Sequence, residues 1–260
     1  MSRAPKSLFR YSGNKSRLTR FLEEPPKGCR RLVEPFLGSG GYTLTYGLPG
    51  LGCDRDGRVT ALWRWLQECD PRDLYDLDAW WRENRNRNPM PNVAEVRERF
   101  GEGASLYFKI NVCSAMVGQW SSETGYPQHD FPLQKTLEAL ESARRVEVFE
   151  GDWRDIAPRL KEGDCVLFDP PYIGTHGNYK EEGGFSPDGI SSEILSWEVP
   201  VIFTYGDGAA EIFPEFDWEI ATVRRVPNLR SGGSVERREW AAYIRFPRSE
   251  TVFDFFRANS

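Results

Sequence analysis

Two short apolar segments joined by a glycine turn constrain this chain most. Residues 31–36, RLVEPF, run into Gly38-Ser39-Gly40-Gly41; a helical stretch follows over 42–47, and residues 50–54, GLGCD, end a second apolar run on an acid. Apolar runs of this length, bounded by turn residues, read as buried strands rather than helices. Strand, helix and strand in that order make a βαβ unit, whose two strands lie parallel. A helix is expected next over 57–67, with Val59, Leu62, Trp63 and Leu66 at helical spacing. The alternation resumes later: a helix at 133–143, strand at 146–150, helix at 154–160, strand at 164–169, helix at 188–197, strand at 199–205, short helix at 207–213, and strands at 217–223 and 240–246. Such alternation predicts an α/β fold, a mostly parallel twisted sheet with helices on both faces. The last two strands are placed to pair as an antiparallel edge.

Residues 71–132 break the pattern. Amphipathic helices are expected at 73–83, 93–100 and 104–113, split by the polar run 84–89, NRNRNP, and closed by a loop-like stretch at 118–132. The expected organisation is therefore one α/β domain from 1–70 and 133–260, with a mainly helical domain, 71–132, inserted in it. The 260 residues suffice for a core of that size, and an aromatic content of 13% argues against disorder. Thirty-four basic against 39 acidic residues leave a net charge of −5, so any contact with a nucleic acid must come from a local basic patch. No apolar run reaches the length of a membrane span, and the basic N-terminal residues are not followed by a secretory apolar segment. Five cysteines never spaced C-x-x-C, with two histidines, favour neither a structural metal site nor disulfides, and a reducing cytoplasm is expected.

The sharpest chemical signal is Asp169-Pro170-Pro171-Tyr172, directly after the strand VLF. It places a rigid loop at the carboxyl edge of the sheet, where ligands of open α/β folds bind. Proline offers a carbonyl without an N–H, so the Asp169 carboxylate and the Pro170 carbonyl can both accept from one amino group, while Tyr172 supplies a flat face. That set suits an exocyclic amine conjugated to an aromatic ring. Acceptors that tighten as its nitrogen pyramidalises favour the transition state over the ground state.

Glu34-Pro35-Phe36-Leu37-Gly38-Ser39-Gly40 forms the second motif. Its glycines let the chain turn tightly ahead of a helix whose first N–H groups are free. The spacing is not G-x-G-x-x-G, and Gly13-Asn14-Lys15-Ser16 lacks the upstream glycine of a phosphate loop, which disfavours ATP and dinucleotides. Asp54, closing the second strand, is placed either to accept ribose hydroxyls or to cap the next helix. Asp152 has the same two readings, a contact to a purine amine or a helix cap. Arg82, Arg85 and Arg87, interleaved with Asn84, Asn86 and Asn88, are either phosphate and base-edge contacts or a solvated loop.

Taken in order, these markers resemble the DNA adenine methyltransferase (Dam-type) family of S-adenosylmethionine-dependent amino-methyltransferases. Arg10-Tyr11-Ser12-Gly13-Asn14-Lys15 is similar to that family's N-terminal K-W-x-G-x-K element, with Tyr11 in place of its Trp and Asn14 in place of a Gly. The 34–40 motif, Asp54, the insert, Asp152, 169–172 and Arg237-Arg238-Glu239 follow in family order. In the insert, Asn111 and Gly118 stand one residue further apart than the family's Asn–Gly run, and Gln119-Trp120 lies near its Arg position.

The resemblance implies a Rossmann-like methyltransferase fold whose insert, 71–132, is a target-recognition domain. It implies S-adenosyl-L-methionine as cofactor, held by Tyr11, Lys15, Glu34, Phe36, Gly38, Ser39, Gly40, Asp54, Asp152, Trp153 and Asp169. Asp169, Pro170 and Tyr172 would be the catalytic set, acting on N6 of an adenine flipped out of duplex DNA. Arg85, Arg87, Asn111, Gln119, Trp120 and Arg237 would meet the nucleic acid. Neither a metal nor a covalent enzyme intermediate is implied, and a cytoplasmic monomer is expected. Two alternatives stay open: an adenine in RNA as the target, and a non-catalytic cofactor-binding protein of the same fold that binds DNA.

Overall fold

In the computed structural model, residues 6–11, 15–113, 120, 129–172, 187–227 and 234–246 are described, the side chains of 17, 223–227, 234–235 and 237 excepted. The strands are β1 (Arg31–Glu34), β2 (Gly50–Asp54), β3 (Val146–Glu150), β4 (Asp164–Phe168), β5 (Val201–Tyr205), β6 (Glu219–Pro227) and β7 (Ser234–Ile244). The helices are α1 (Gly41–Tyr46), α2 (Gly57–Glu68), α3 (Pro71–Asn84), α4 (Val93–Phe100), α5 (Glu102–Asn111), α6 (Leu133–Ala143), α7 (Ile190–Ser196) and α8 (Ala209–Ile212). They build one seven-stranded sheet in the order β3-β2-β1-β4-β5-β7-β6. Strands β1 to β5 run parallel, and β7 lies antiparallel between β5 and β6. This is the expected α/β, Rossmann-like sheet.

The order of strands explains where a ligand has room. From β1 the chain winds outward through β2 and β3, then returns to β4 on the other side of β1. Val33 on β1 faces both Leu51 of β2 and Val166 of β4. The sheet therefore reverses its winding between β1 and β4, and the loops that leave these two strands diverge there. In open α/β sheets this is the crevice that holds ligands. It brings the glycine turn after β1 and the Asp169 loop after β4 to one place.

Helices on both faces cover an apolar interior. One cluster joins the sheet to α7 and α8 through Phe168, Phe203, Ile190, Ile194 and Phe213. A second joins α2 to the helices of the 71–132 segment: Leu62, Trp63 and Leu66 pack with Leu77, Trp81, Val96 and Phe108. Close approach of α5 to α2 depends on Gly103, where a Cβ would stand 2.0 Å from the Trp65 ring. The segment starts firmly as well. Asp70 and Asp73 form a reciprocal capping box with Pro71 in the first turn of α3, and Asn92 caps α4 by accepting from Glu95 N at 3.0 Å.

Several boundaries move for local reasons. Strand β1 stops at Glu34 rather than continuing to Phe36, because Pro35 has no N–H for the ladder. The helix expected at 154–160 is a 3-10 segment, Trp153–Arg159, with Pro158 inside it. The terminal strands are longer than expected because β6 and β7 pair as a ribbon from Glu219↔Ala241 to Pro227↔Ser234. No helix of the described residues is long and apolar enough to cross a membrane. Among the same residues, no group of three or more His, Cys, Asp or Glu side chains is arranged to hold a metal ion.

Candidate active site

Strand β4 is fully buried and delivers Asp169 to the crevice one residue beyond its end. The carboxylate is held on one oxygen. Thr204 Oγ1, on neighbouring β5, donates to Asp169 Oδ1 at 2.8 Å, and Lys15 Nζ lies 3.1 Å from the same atom. Among the described residues no hydrogen bond reaches Asp169 Oδ2. Burial pushes the Asp169 carboxyl above the usual carboxylate range, opposed by the Lys15 charge and the Thr204 hydroxyl. Pro170 is buried behind it.

Tyr172 stands beside this carboxylate. Its hydroxyl donates to Glu239 Oε2 of β7 at 2.6 Å and lies 3.4 Å from Asp169 Oδ1. The ring is boxed by Tyr205, 4.8 Å between centroids, and by Gly206, where a Cβ would approach it to 2.7 Å. Lys15 Nζ sits 4.8 Å from the ring centroid, a cation–π distance. Glu239 closes the group, its Oε2 4.0 Å from Lys15 Nζ. Two acids, one ammonium, one phenol and one hydroxyl thus share a site built from the N-terminal arm, β4, β5 and β7.

The glycine turn forms the adjoining wall. Gly38 and Gly40 take φ of +47° and +66°, which non-glycine residues avoid. Tyr11 lies on Gly38, its ring 2.9 Å from where a Cβ would be, and Trp63 Nε1 donates to Gly38 O at 2.7 Å. Asp54 pins the same turn: Oδ2 accepts from Gly38 N and Oδ1 from Asp56 N, both at 2.9 Å. The cap of α2 is Asp56, not Asp54. Burial raises the Asp54 carboxyl to about 6 and the Glu34 carboxyl to about 7. Glu34 Oε1 accepts from Thr43 N at 2.7 Å, which fixes the start of α1. Ser39 Oγ is buried in this turn and has no hydrogen-bond partner among the described residues.

The other expected residues are distributed unequally. Asp152 caps the 3-10 segment in a capping box with Asp155 and pairs with Arg154 at 3.2 Å. Trp153 is 95% buried (5% relative exposure) and packs on Phe168 and Trp197, while Phe36 reaches Phe168 at 5.2 Å and Trp153 at 6.4 Å. Asn111 corrects an expectation. It has 0% exposure; Oδ1 accepts from Arg10 N at 3.0 Å and Nδ2 donates to Tyr107 O at 2.9 Å. Its amide ties the N-terminal arm to α5 and does not face a polymer. Arg85 pairs with Asp130 and Arg87 with Glu95, so this run is a charge-balanced loop edge, not a bare basic strip. Trp120 lies under the Arg58 guanidinium, its ring centroid 5.2 Å from Arg58 Cζ. Arg237 lies on β7 opposite Arg224, its side chain outside the described part. Gln119, Asn14 and residues 173–185 lie outside the described residues.

Sequence reasoning missed the roles of Thr204, Glu239 and Trp63. Thr204 stands alone as a polar residue within the apolar strand VIFTY, and a buried hydroxyl there calls for a partner. Glu239 stands directly before Trp240-Ala241-Ala242 on a strand, an acid at the entry of an apolar run.

No family model matches the sequence, and no curated protein matches it. Among solved structures, the chain is similar to a precorrin-6y C5,15-methyltransferase from Geobacter metallireducens GS-15, at 9% identity, 92% of this chain, 93% of that chain and a TM-score of 0.41. It is also similar to a protein from Clostridium thermocellum described as an rRNA methylase, at 10% identity, 88% of this chain, 95% of that chain and a TM-score of 0.37.

Proposed function

We propose that the chain is an S-adenosylmethionine-dependent DNA adenine-N6 methyltransferase. One observation carries this reading: Asp169 is held through Oδ1 by Thr204 and Lys15 beside Tyr172, and no hydrogen bond among the described residues occupies Oδ2. The group suits a flat base bearing an exocyclic amine, and the ordered motifs that resemble the Dam-type family fit the same substrate.

The crevice also fits the cofactor. The unpartnered Ser39 Oγ, the turn at Gly38 to Gly40 and the Tyr11 ring line one side, with Asp54 and Asp152 following β2 and β3 at the same edge of the sheet. Tyr11, Lys15, Ser39, Asp54 and Asp152 are the residues we assign to hold it, with Glu34, Phe36 and Trp153 supporting the walls. When bound, S-adenosylmethionine supplies an electrophilic methyl group. Tyr172 stacks on the adenine and orients its amine. Asp169 Oδ2 and the Pro170 carbonyl accept the two amine hydrogens and align the nitrogen lone pair. Holding the reactants in line supplies much of the acceleration. As the nitrogen gains the methyl it sheds a proton, and Asp169, whose burial raises its proton affinity, is placed to take it. Residues 71–132 are assigned as the inserted target-recognition domain, with Arg85, Arg87, Gln119, Trp120 and Arg237 as its contacts to duplex DNA or those of the adjoining strand. The protein acts as a cytoplasmic monomer in this reading and needs no metal.

The test is transfer of labelled methyl from S-adenosylmethionine to unmethylated duplex DNA by wild type and Asp169→Ala, followed by digestion to nucleosides. N6-methyladenine from wild type alone is the expected result. Label in matched RNA but not in DNA changes the substrate. Cofactor binding without transfer to either polymer replaces the reading with a non-catalytic one.

A further inference from the structure

We propose that Glu239 is a positioning residue that holds the phenol proton of Tyr172 away from Asp169, so that the Asp169 carboxylate stays available as an acceptor; the functional consequence rests on the adenine-methylation reading. A phenol has one proton to donate. Here two carboxylates contend for it, Glu239 Oε2 at 2.6 Å and Asp169 Oδ1 at 3.4 Å. The shorter bond goes to Glu239, on β7, an element that the Asp169 loop does not belong to. Without Glu239, the phenol retains Asp169 as its near acceptor, and a small swing brings it into full hydrogen-bond contact. A carboxylate that already accepts from Thr204, Lys15 and a phenol is a poorer acceptor for a substrate amine.

Two further contacts point the same way. Glu239 Oε2 stands 4.0 Å from Lys15 Nζ, so it shares with Asp169 the charge of that ammonium. The same hydroxyl anchor fixes the ring plane between Tyr205 and Gly206, so the face presented to a base depends on Glu239. Among the described residues, Lys15 from the arm, Asp169 after β4 and Glu239 from β7 meet at Tyr172, and the charge of Asp169 also helps raise the buried Glu34 carboxyl.

The test combines a readout that needs no activity with one that does. Tyrosine ring carbons labelled at Cζ are followed by NMR through a pH titration, with Tyr172→Phe identifying the Tyr172 signal and the other tyrosines reporting the fold. Removing a facing carboxylate lowers the phenol's pKa, so Tyr172 should begin to titrate at lower pH in Glu239→Ala than in wild type. In the transfer assay, Glu239→Ala should lower kcat about 10- to 100-fold, the range of a hydrogen bond to a charged group, with cofactor Kd within about threefold of wild type. Glu239→Gln, which keeps an acceptor oxygen, should recover part of that loss. In a Tyr172→Phe background, Glu239→Ala should lower kcat by less than about threefold, because the proton being held is gone. An unmoved Tyr172 titration overturns the proposal whatever the activity. A shifted titration with unchanged kcat, or an equal kcat loss in the Tyr172→Phe background, overturns the positioning role and leaves the methylation reading intact. If wild type transfers methyl to no polymer, the methylation reading fails, and the titration alone decides whether Glu239 holds the phenol.

Discussion

Lys15 and Asp169 form a salt bridge of 3.1 Å across the site, with both side chains largely withdrawn from water. The two residues are far apart in the chain and come from different elements, so the fold itself joins them. Lys15 opposes the burial that raises the Asp169 carboxyl. Removing the ammonium leaves that burial uncompensated. Lys15→Gln should therefore move the acidic limb of the proposed methyl-transfer activity to higher pH. Lys15→Arg should move it less. A kcat/KM profile from pH 5 to 9 measures the shift, and an acidic limb that stays in place removes Lys15 from the control of Asp169.

Gly38 and Gly40 both need positive φ, but their surroundings differ. A Cβ on Gly38 meets the Tyr11 ring at 2.9 Å, the side chain of an arm that can give way. A Cβ on Gly40 meets the Trp63 ring at 2.5 Å, and that indole is anchored by its bond to Gly38 O. The left-handed backbone costs about 1–2 kcal/mol in either case. Overpacking against Trp63 adds about 1–3 kcal/mol. Gly40→Ala should thus lose clearly more stability than Gly38→Ala in urea denaturation. Gly38→Ala should instead show its loss in cofactor binding, read by calorimetric titration, because Tyr11 must leave its place.

The buried Glu34 makes stability depend on pH. Its carboxyl rises from 4.5 to about 7 on folding, so the folded state holds a proton that the unfolded chain releases. The unfolded chain binds fewer protons between these values, and stability falls as pH rises through that window. A shift of this size corresponds to a change on the order of 3 kcal/mol. Asp54, raised from 3.8 to about 6, acts in the same direction at lower pH. Glu34→Gln keeps an acceptor for Thr43 N without the titration. Its stability relative to wild type should grow between pH 5 and pH 8, measured by urea denaturation at each pH.

What could be read from the sequence was what short-range patterns encode. Strands β2 and β3 and helix α6 begin and end where the apolar runs and turn residues place them. The crevice motifs were legible for the same reason, since glycine turns and Asp-Pro-Pro-Tyr carry their constraint in neighbouring residues. Relations across the sheet were not legible. Nothing local to 234–244 says that β7 enters between β5 and β6, yet that insertion is what carries Glu239 to Tyr172. Asn111 failed as a nucleic-acid contact for a like reason. Its expected role came from its place near the family's Asn–Gly run, and that spacing does not reveal that Arg10 of the N-terminal arm bonds to its side chain and carbonyl.

Arg85 and Arg87 give a test of the proposed polymer contact. Each pairs with a neighbouring acid and is 43% exposed, so neither pairing is a strong source of stability. If these arginines meet phosphates, the acids act as placeholders exchanged for the DNA backbone. Arg85→Ala and Arg87→Ala should then weaken DNA binding alike on all sequences, and each should reduce the slope of log K against log salt by about 1. Fluorescence anisotropy across a salt series measures this. Unchanged slopes would return the run to its acidic partners and a purely structural role.

The packing of α5 on α2 bears on how residues 71–132 are held against the sheet domain's α2. At Gly103 a Cβ would fall 2.0 Å from Trp65 Cγ and 2.6 Å from Trp65 Cβ, close to the stem of the side chain rather than its tip. The indole cannot relieve that clash by rotating alone; α5 must move from α2. Because Leu62, Trp63 and Leu66 belong to the same cluster as Trp81 and Phe108, separation would loosen α3 and α4 as well. Gly103→Ala should cost more than the about 1–3 kcal/mol of ordinary overpacking, although alanine is the better helix former on an exposed face. Thermal unfolding should show the loss in a single transition that includes the sheet, since α2 packs on β2 and β3 and cannot shift without disturbing them. A separate early transition, with the sheet melting as in wild type, would show instead that residues 71–132 unfold on their own.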